Sequence, residues 1–279
     1  MELEKDQIQT FARALKNISE YDFTEYSEKS LSRRLAKILH DQNMDMNKMI
    51  TKISEDREYL EQIVREITVN TTEMFRDPPV WHALRYDIFP GFDHKESLTV
   101  WHPGCSTGQE VYSMMILLNE LGKLENARVY GSDINPDVLD KARKGVYQYR
   151  FNVSYLDNFD AVIKVNPRDS GAFQDVPYEK YFHIDKTRDK IYMNDFLVEA
   201  VEYKKMDLVK DMNPFDETYD FIICRNVIIY FNYELQNKVF KFFLDNMNPG
   251  ACLILGVHET ILGPCASYFE KKFQAFFKK

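Results

Sequence analysis

The chain has 279 residues, 44% of them hydrophobic, with 36 Lys and Arg against 44 Asp and Glu and a formal net charge of −8. That length suits one large domain or two smaller ones around a real core, and the net acidity excludes a protein built mainly to bind bulk nucleic acid. No apolar run approaches the ~18 residues of a membrane span. Four scattered cysteines (Cys105, Cys224, Cys252 and Cys265) without a C-x-x-C pair argue against a disulfide scaffold or a zinc finger. Reduced thiols in a cytosolic protein are the expectation, and the polar start Met1-Glu2-Leu3-Glu4 is no secretory signal.

Residues 1–90 read as helical. Phe11, Leu15 and Ile18 follow i, i+4, i+7 spacing; Leu31, Leu35, Ile38 and Leu39 continue the pattern, as do Tyr59, Leu60, Ile63, Val64 and Ile67. Asp77-Pro78-Pro79 predicts an N-cap with proline in the first turn, opening a helix to about Phe89. A domain boundary is expected in residues 90–94, dividing a helical unit and its linker (1–90) from an α/β unit (91–279). From residue 97 strands and helices alternate: strand 98–101, helix 109–121, strand 127–133, helix 137–144, strand 219–224, helix 234–246 and strand 252–256. This alternation predicts a parallel sheet with helices on both faces. The aromatic-rich residues 269–277 are expected to close it as an edge strand. Between about 150 and 205 the alternation fails, and short strand-like pieces at 178–183, 190–193 and 198–203 predict a small antiparallel insertion.

The chemistry begins at Trp101-His102-Pro103-Gly104-Cys105-Ser106-Thr107-Gly108, a glycine-bearing loop between a strand and a helix. Such a loop lets backbone N–H groups approach a polar ligand at a helix start. The next strand ends at Asp133, about 25 residues past Gly108, where a carboxylate accepts from both hydroxyls of a ribose. The loop lacks a full G-x-G-x-x-G, which counts against a dinucleotide and favours a smaller nucleoside-bearing cofactor such as S-adenosylmethionine.

Four motifs in order complete the picture: Asn70-Thr71-Thr72-Glu73-Met74-Phe75-Arg76, Cys105-Ser106-Thr107-Gly108-Gln109-Glu110-Val111-Tyr112-Ser113, Ser132-Asp133-Ile134, and Cys224-Arg225-Asn226-Val227-Ile228-Ile229-Tyr230-Phe231. Together they resemble the N-L-T-x-F-F-R, C-S-T-G-E-E-P-Y-S, S-D-I and C-R-N-x-x-I-Y-F motifs of the chemotaxis receptor protein-glutamate O-methyltransferases. The resemblance implies a Rossmann-like methyltransferase sheet with an N-terminal helical domain and a small β insertion. It implies S-adenosyl-L-methionine as cofactor, S-adenosyl-L-homocysteine as product, and no metal.

Carried over by residue, it implies that Asn70, Thr72 and Arg76 close over the cofactor and that Gly104 belongs to its loop. Glu110 meets the ammonium and Asp133 the ribose. Asp207 and Leu208 lie beside the adenine, Arg225 and Asn226 end a strand at the pocket, and Tyr230 faces the methyl group. Arg76 and Tyr230 are the expected catalytic residues; His102, His258 and Cys105 are expected to be structural. The chain departs from the family at Glu73-Met74, at Gln109 and Val111 around Glu110, and at Asp207, where asparagine is usual; Val257-His258-Glu259 only loosely echoes Gly-His-Ser-Glu.

Lys29, Arg33 and Lys37 lie four apart on one helix face with Arg34 beside them, a basic row in an acidic protein. The resemblance implies that this face meets the acidic helices of the chemoreceptor cytoplasmic domain; a merely solvated face is the alternative. Some members of the family also hold a receptor C-terminal tail peptide on the β insertion, and the sequence leaves that open. The protein is expected to act as a cytoplasmic monomer without inserting in the membrane. Methylation of another protein carboxylate, or cofactor binding in a regulatory module that no longer transfers, are the competing functions.

Overall fold

The structure, a computed structural model, describes residues 3–68, 70–169 and 172–279. Four amphipathic helices come first: α1 (Lys5–Ile18), α2 (Glu28–Asp41), α3 (Met46–Glu55) and α4 (Arg57–Ile67). Asp45 and Asp56 cap α3 and α4 through their side chains. Their apolar stripes close on one core that includes Phe11, Leu35, Met49 and Ile63, with the periodicity expected from the sequence except at Ile18, the last residue of α1, which is exposed.

Residues 74–92 leave that core. Phe75, Trp81, Phe89 and Phe92 pack into the core of the sheet, with Phe89 and Phe92 against Phe221. The helix expected to run to Phe89 is shorter: α5 (Pro78–Ala83) widens into a π turn (Leu84–Ile88) and then a 3-10 turn (Phe89–Phe92). Asp77 does not cap it by its side chain; its carboxylate is engaged elsewhere.

The α/β part continues with β1 (Leu98–Pro103), α6 (Gln109–Glu120), β2 (Ala127–Asp133), α7 (Pro136–Lys144), β3 (Val146–Gln148), α8 (Tyr149–Phe159), β4 (Phe182–Asp185), β5 (Lys190–Met193), α9 (Asp195–Val198), β6 (Val201–Lys205), β7 (Tyr219–Cys224), α10 (Tyr233–Asn246), β8 (Met247–Leu255), β9 (Phe269–Lys272) and β10 (Ala275–Lys278). The large sheet has the order β6-β2-β1-β7-β8-β10-β9. Its first five strands run parallel, and the last two form an antiparallel hairpin where a single edge strand was expected. Alternate residues feed opposite faces: Phe221 and Ile223 join the core under α6 and α7, Ile222 and Cys224 the core under α10. This is the expected Rossmann-like architecture.

The insertion differs from expectation in three ways. Residues 149–159 are helical as α8. The third strand of the small sheet is β3, in the order β3-β5-β4. Residues 201–205 instead form β6, the edge strand of the large sheet, paired in parallel with β2 from Val129↔Val201 to Asp133↔Lys205. That register gives the main-chain groups of β2 a partner on their otherwise open side, which the small sheet cannot supply. The small sheet has no separate core; Phe159, Phe182 and Ile191 join that of the large sheet. Among the described residues, no helix is long and apolar enough to cross a membrane.

Candidate functional site

The chain runs outward from β1 through β2 to β6, then returns to β7 on the other side of β1. The strand order therefore reverses between β1 and β7, and a crevice opens beyond their C-terminal ends, where open α/β sheets bind ligands. Three strand exits meet there: Gly104–Ser106 after β1, Asp133 at the end of β2, and Arg225–Tyr230 after β7. Two glycines make the first exit possible. Gly104 has φ +72°, and a Cβ on it would lie 2.5 Å from Val227 Cγ2; Gly108 has φ +87° and lies against Ala142 and Tyr203.

The crevice deepens into a cleft of about 860 Å³, including its solvent-open part, roofed by α2 and by Ile67, Thr68, Asn70 and Thr71. Its walls carry buried polar atoms without a partner: Asp207 Oδ2, Asn226 Oδ1, Ser106 Oγ and Arg34 Nε. Native interiors rarely leave such atoms unpaired, so several around one cleft mark where a polar ligand is received. Asp133 is 8% exposed; its oxygens accept from the backbone N–H groups of Ser106 and Asn135, both at 2.9 Å. Burial raises its carboxyl despite those bonds. Asp207 accepts from Val209 N–H at 2.9 Å, and burial raises it to about 6.

Arg225, with a side chain 1% exposed, sits between two acids: Nη1 donates to Glu110 Oε2 at 2.7 Å and Nη2 to Asp77 Oδ2 at 2.5 Å. His102 Nδ1 lies 3.8 Å from Glu110. Burial alone would raise the Glu110 carboxyl, but Arg225 and His102 outweigh it and hold it below the usual range. Two carboxylates against one guanidinium leave a net negative charge beside the cleft.

Residues 70–77 connect the helices to the sheet and carry Arg76 between two strained neighbours, Phe75 at φ +49° and Asp77 at φ +57°. Non-glycine residues keep such angles only where the surroundings impose them. Here Phe75 N–H donates to Ser113 Oγ at 2.8 Å, Asn158 donates to the Met74 carbonyl at 3.2 Å, and Tyr155 to that of Thr72 at 3.3 Å. The insertion, through α8, thus grips the segment that bears Arg76. Burial raises the Tyr230 hydroxyl, opposed by the charges of Arg34, Arg33 and Arg76. The main chain of Tyr230 joins the start of α2, with Ser27 N–H donating to its carbonyl at 2.8 Å.

Of the residues expected from the sequence, Asn70, Gly104, Asp133, Asp207, Leu208, Arg225, Asn226, Tyr230 and Arg34 line the cleft together. Thr72, Arg76 and Glu110 do not line it; Glu110 is turned to Arg225. Lys29, Arg33 and Lys37 are exposed on α2, outside the cleft. Sequence reasoning missed Asp77 as a partner of Arg225, and Tyr26, Ser106 and Met206 as lining residues. Glu259, noted in the sequence only within a loose echo of Gly-His-Ser-Glu and given no role, is buried and accepts from the turn after β7.

The chain matches the family model described as CheR methyltransferase, SAM binding domain, over residues 70–158 and 169–275. It is 33% identical over 242 residues to the Pseudomonas putida protein named Cher3, covering 86% of this chain and 84% of that one. It is 27% identical to the chemotaxis protein methyltransferase of Listeria innocua over 94% of this chain and 93% of the relative. The Borreliella burgdorferi protein of the same name is 28% identical over 72% of this chain and 68% of its own length.

Proposed function

The chain belongs to the CheR methyltransferase family, and on that premise we propose that it methylates glutamate side-chain carboxylates of chemotaxis receptors, forming methyl esters at the expense of S-adenosyl-L-methionine. The observation that carries this reading is a cleft in which nucleoside-suited acids, Asp133 and Asp207, converge with Arg34 and with Tyr230, whose hydroxyl also feels the charges of Arg33 and Arg76 from outside the lining.

The unpartnered polar atoms of the cleft fit the cofactor's donor and acceptor groups. Asp133 would accept from the ribose hydroxyls, Asp207 from the adenine amino group with Leu208 against the ring, and Asn226 and the backbone at Gly104 would border the chain between them. Glu110 and Asp77, sharing Arg225, supply the negative charge that suits the ammonium, and Arg76 on its clamped segment with Asn70 and Thr72 suits the carboxylate. When bound, the cofactor supplies an electrophilic methyl group on a sulfonium. The acceptor glutamate is ionised at neutral pH, so no side chain need act as general base. What the protein must do is align the carboxylate and exclude water from two opposite charges that cancel on transfer. Tyr230, whose phenol is protonated at neutral pH and which burial raises further, orients rather than deprotonates. The exposed row Lys29, Arg33 and Lys37 would receive the acidic receptor helix, and β4, an edge of the small sheet, would accept a receptor tail peptide as an added strand. This reading takes the protein as a cytoplasmic monomer.

The test is methyl transfer from labelled S-adenosyl-L-methionine to an isolated chemoreceptor cytoplasmic fragment. Label released by base as methanol is the expected result. Base-stable label would point to another acceptor, and binding without transfer to a regulatory module. Tyr230→Phe and Arg76→Ala should each slow single turnover with little loss of stability; near-normal rates in both would remove them from the reaction.

A further inference from the structure

The acid that the proposed chemistry leaves unused is Glu259, in the turn after β8. It is 7% exposed, yet among the described residues no cation pairs with it. Its carboxylate instead collects backbone N–H groups: Oε2 accepts from Gly256 at 2.6 Å and Asn226 at 2.8 Å, and Oε1 from Ile229 at 3.2 Å. Burying a carboxylate without a counter-ion is costly, and those bonds only partly offset the burial that raises it. The surroundings are shaped to admit it. A Cβ on Gly256 would lie 2.7 Å from Glu259 Oε2 and 3.0 Å from the Asn226 nitrogen, so a larger residue there would displace the carboxylate or the turn.

The turn it holds is the one that matters to the cleft. Asn226 has φ +61°, a left-handed conformation that a non-glycine residue keeps only when its surroundings impose it. Beyond it, a 3-10 turn (Ile228–Tyr230) presents Tyr230. The outer side of this segment is tied to the entry of α2, Ser27 N–H donating to the Tyr230 carbonyl and Asn232 N–H to that of Glu25 at 2.9 Å. Glu259 ties the inner side at Asn226 and Ile229, the start of the segment. Gln236 of α10 also donates to the Ile228 and Phe231 carbonyls, at 3.2 and 3.0 Å, so removing Glu259 leaves the far end of the turn held while the N–H groups of Asn226, Ile229 and Gly256 lose their partner.

We propose that Glu259 is a positioning residue for methyl transfer, whose carboxylate sets the turn that holds Asn226 at the cleft and aims Tyr230 at the reacting groups. This rests on the function proposed above. Glu259→Gln keeps the size but turns one acceptor into a donor facing N–H groups; Glu259→Asp keeps the charge but shortens its reach. In the full-length glutamine variant, amide hydrogen exchange in residues 225–230 should accelerate about tenfold or more, while α6 stays unchanged. Affinity for S-adenosyl-L-homocysteine should fall by about three- to tenfold through Asn226. At saturating receptor fragment, kcat should fall about tenfold, with the acceptor KM within about threefold because α2 is untouched. The aspartate variant should recover part of each loss, and it carries the same readouts if the glutamine variant does not fold.

Unchanged exchange in residues 225–230 would overturn the brace. Accelerated exchange with unchanged affinity and kcat would make Glu259 structural only. If the wild-type protein transfers no methyl group to the receptor fragment, the proposed function fails, while exchange and product affinity still decide the role of Glu259.

Discussion

Arg225 concentrates the electrostatics of the site in one side chain. Replacing it by Met leaves Glu110 and Asp77 facing each other without a cation. Breaking a buried pair costs 3–5 kcal/mol, and since the Asp77 side chain is 39% exposed the loss should be about 3 kcal/mol in urea unfolding. The Glu110 carboxyl, held low in the native protein, contributes stability that is present above its unfolded value and lost as pH falls through the lower folded one. In the Met variant burial is no longer outweighed by Arg225, so that acid-linked loss should shrink or reverse, and the variant's deficit against wild type should be largest near neutral pH and narrow as pH falls. Asp207 has the opposite sign. Raised to about 6, it favours the folded state most below its unfolded value, and that contribution fades as pH rises through 6. If its ionised form accepts from adenine, affinity for S-adenosyl-L-homocysteine should tighten as pH rises across 6, and Asp207→Asn should flatten that dependence in calorimetry. Gly104 and Asp133 were legible in the sequence because a strand end followed by glycine, and a strand ending in an acid, are local patterns. The pairing of Arg225 with partners 115 and 148 residues away has no local signature, so Asp77 was legible as the N-cap position of α5 but not as a partner of Arg225.

At the scale of elements, α2 was readable in detail: Leu31, Leu35, Ile38 and Leu39 are buried while Lys29, Arg33 and Lys37 face solvent. Reversing Arg33 and Lys37 to Glu should raise the acceptor KM and blunt its salt dependence, leaving product affinity within about twofold, because neither residue lines the cleft. An unchanged KM would mean that this face is only solvated. The insertion was readable only in part. Residues 149–159 include Tyr, Phe and Val, which favour strands by propensity, yet they form α8, because Phe159, Tyr155 and Leu156 pack on the sheet's core and Tyr155 and Asn158 beside them bond the carbonyls of Thr72 and Met74. Val201-Glu202-Tyr203-Lys204-Lys205 alternates as an edge strand of either sheet would; its pairing with a strand some 70 residues earlier decided the matter.

For the whole molecule, the cleft is walled by two bodies with separate cores, the four helices and the sheet. They meet through main-chain ties at Ser27 and Asn232 and ion pairs such as Arg65–Asp137 at 2.6 Å and Lys205–Glu20 at 2.7 Å. A ligand bound across both should raise their stabilities together. At one hundred times its Kd, S-adenosyl-L-homocysteine should add about 2.7 kcal/mol and move a single calorimetric transition upward. A helical transition left behind at the lower temperature would show that the helices take no share in binding.

All four cysteines are free and buried, and burial raises every thiol above its ordinary range. Nucleophilicity belongs to the thiolate, so the native molecule is nearly inert toward electrophiles and peroxide. Alkylation therefore times structural opening. Cys105 lies in the cleft's own loop, beside Gly104 and Ser106, while Cys265 is the buried residue of a separate 3-10 turn (Pro264–Tyr268). With S-adenosyl-L-homocysteine bound, iodoacetamide labelling of Cys105 should slow more than that of Cys265. Equal slowing would mean that both thiols await the same global unfolding. Either way, peroxide treatment of the folded protein should leave four titratable thiols, and fewer only once unfolding is allowed.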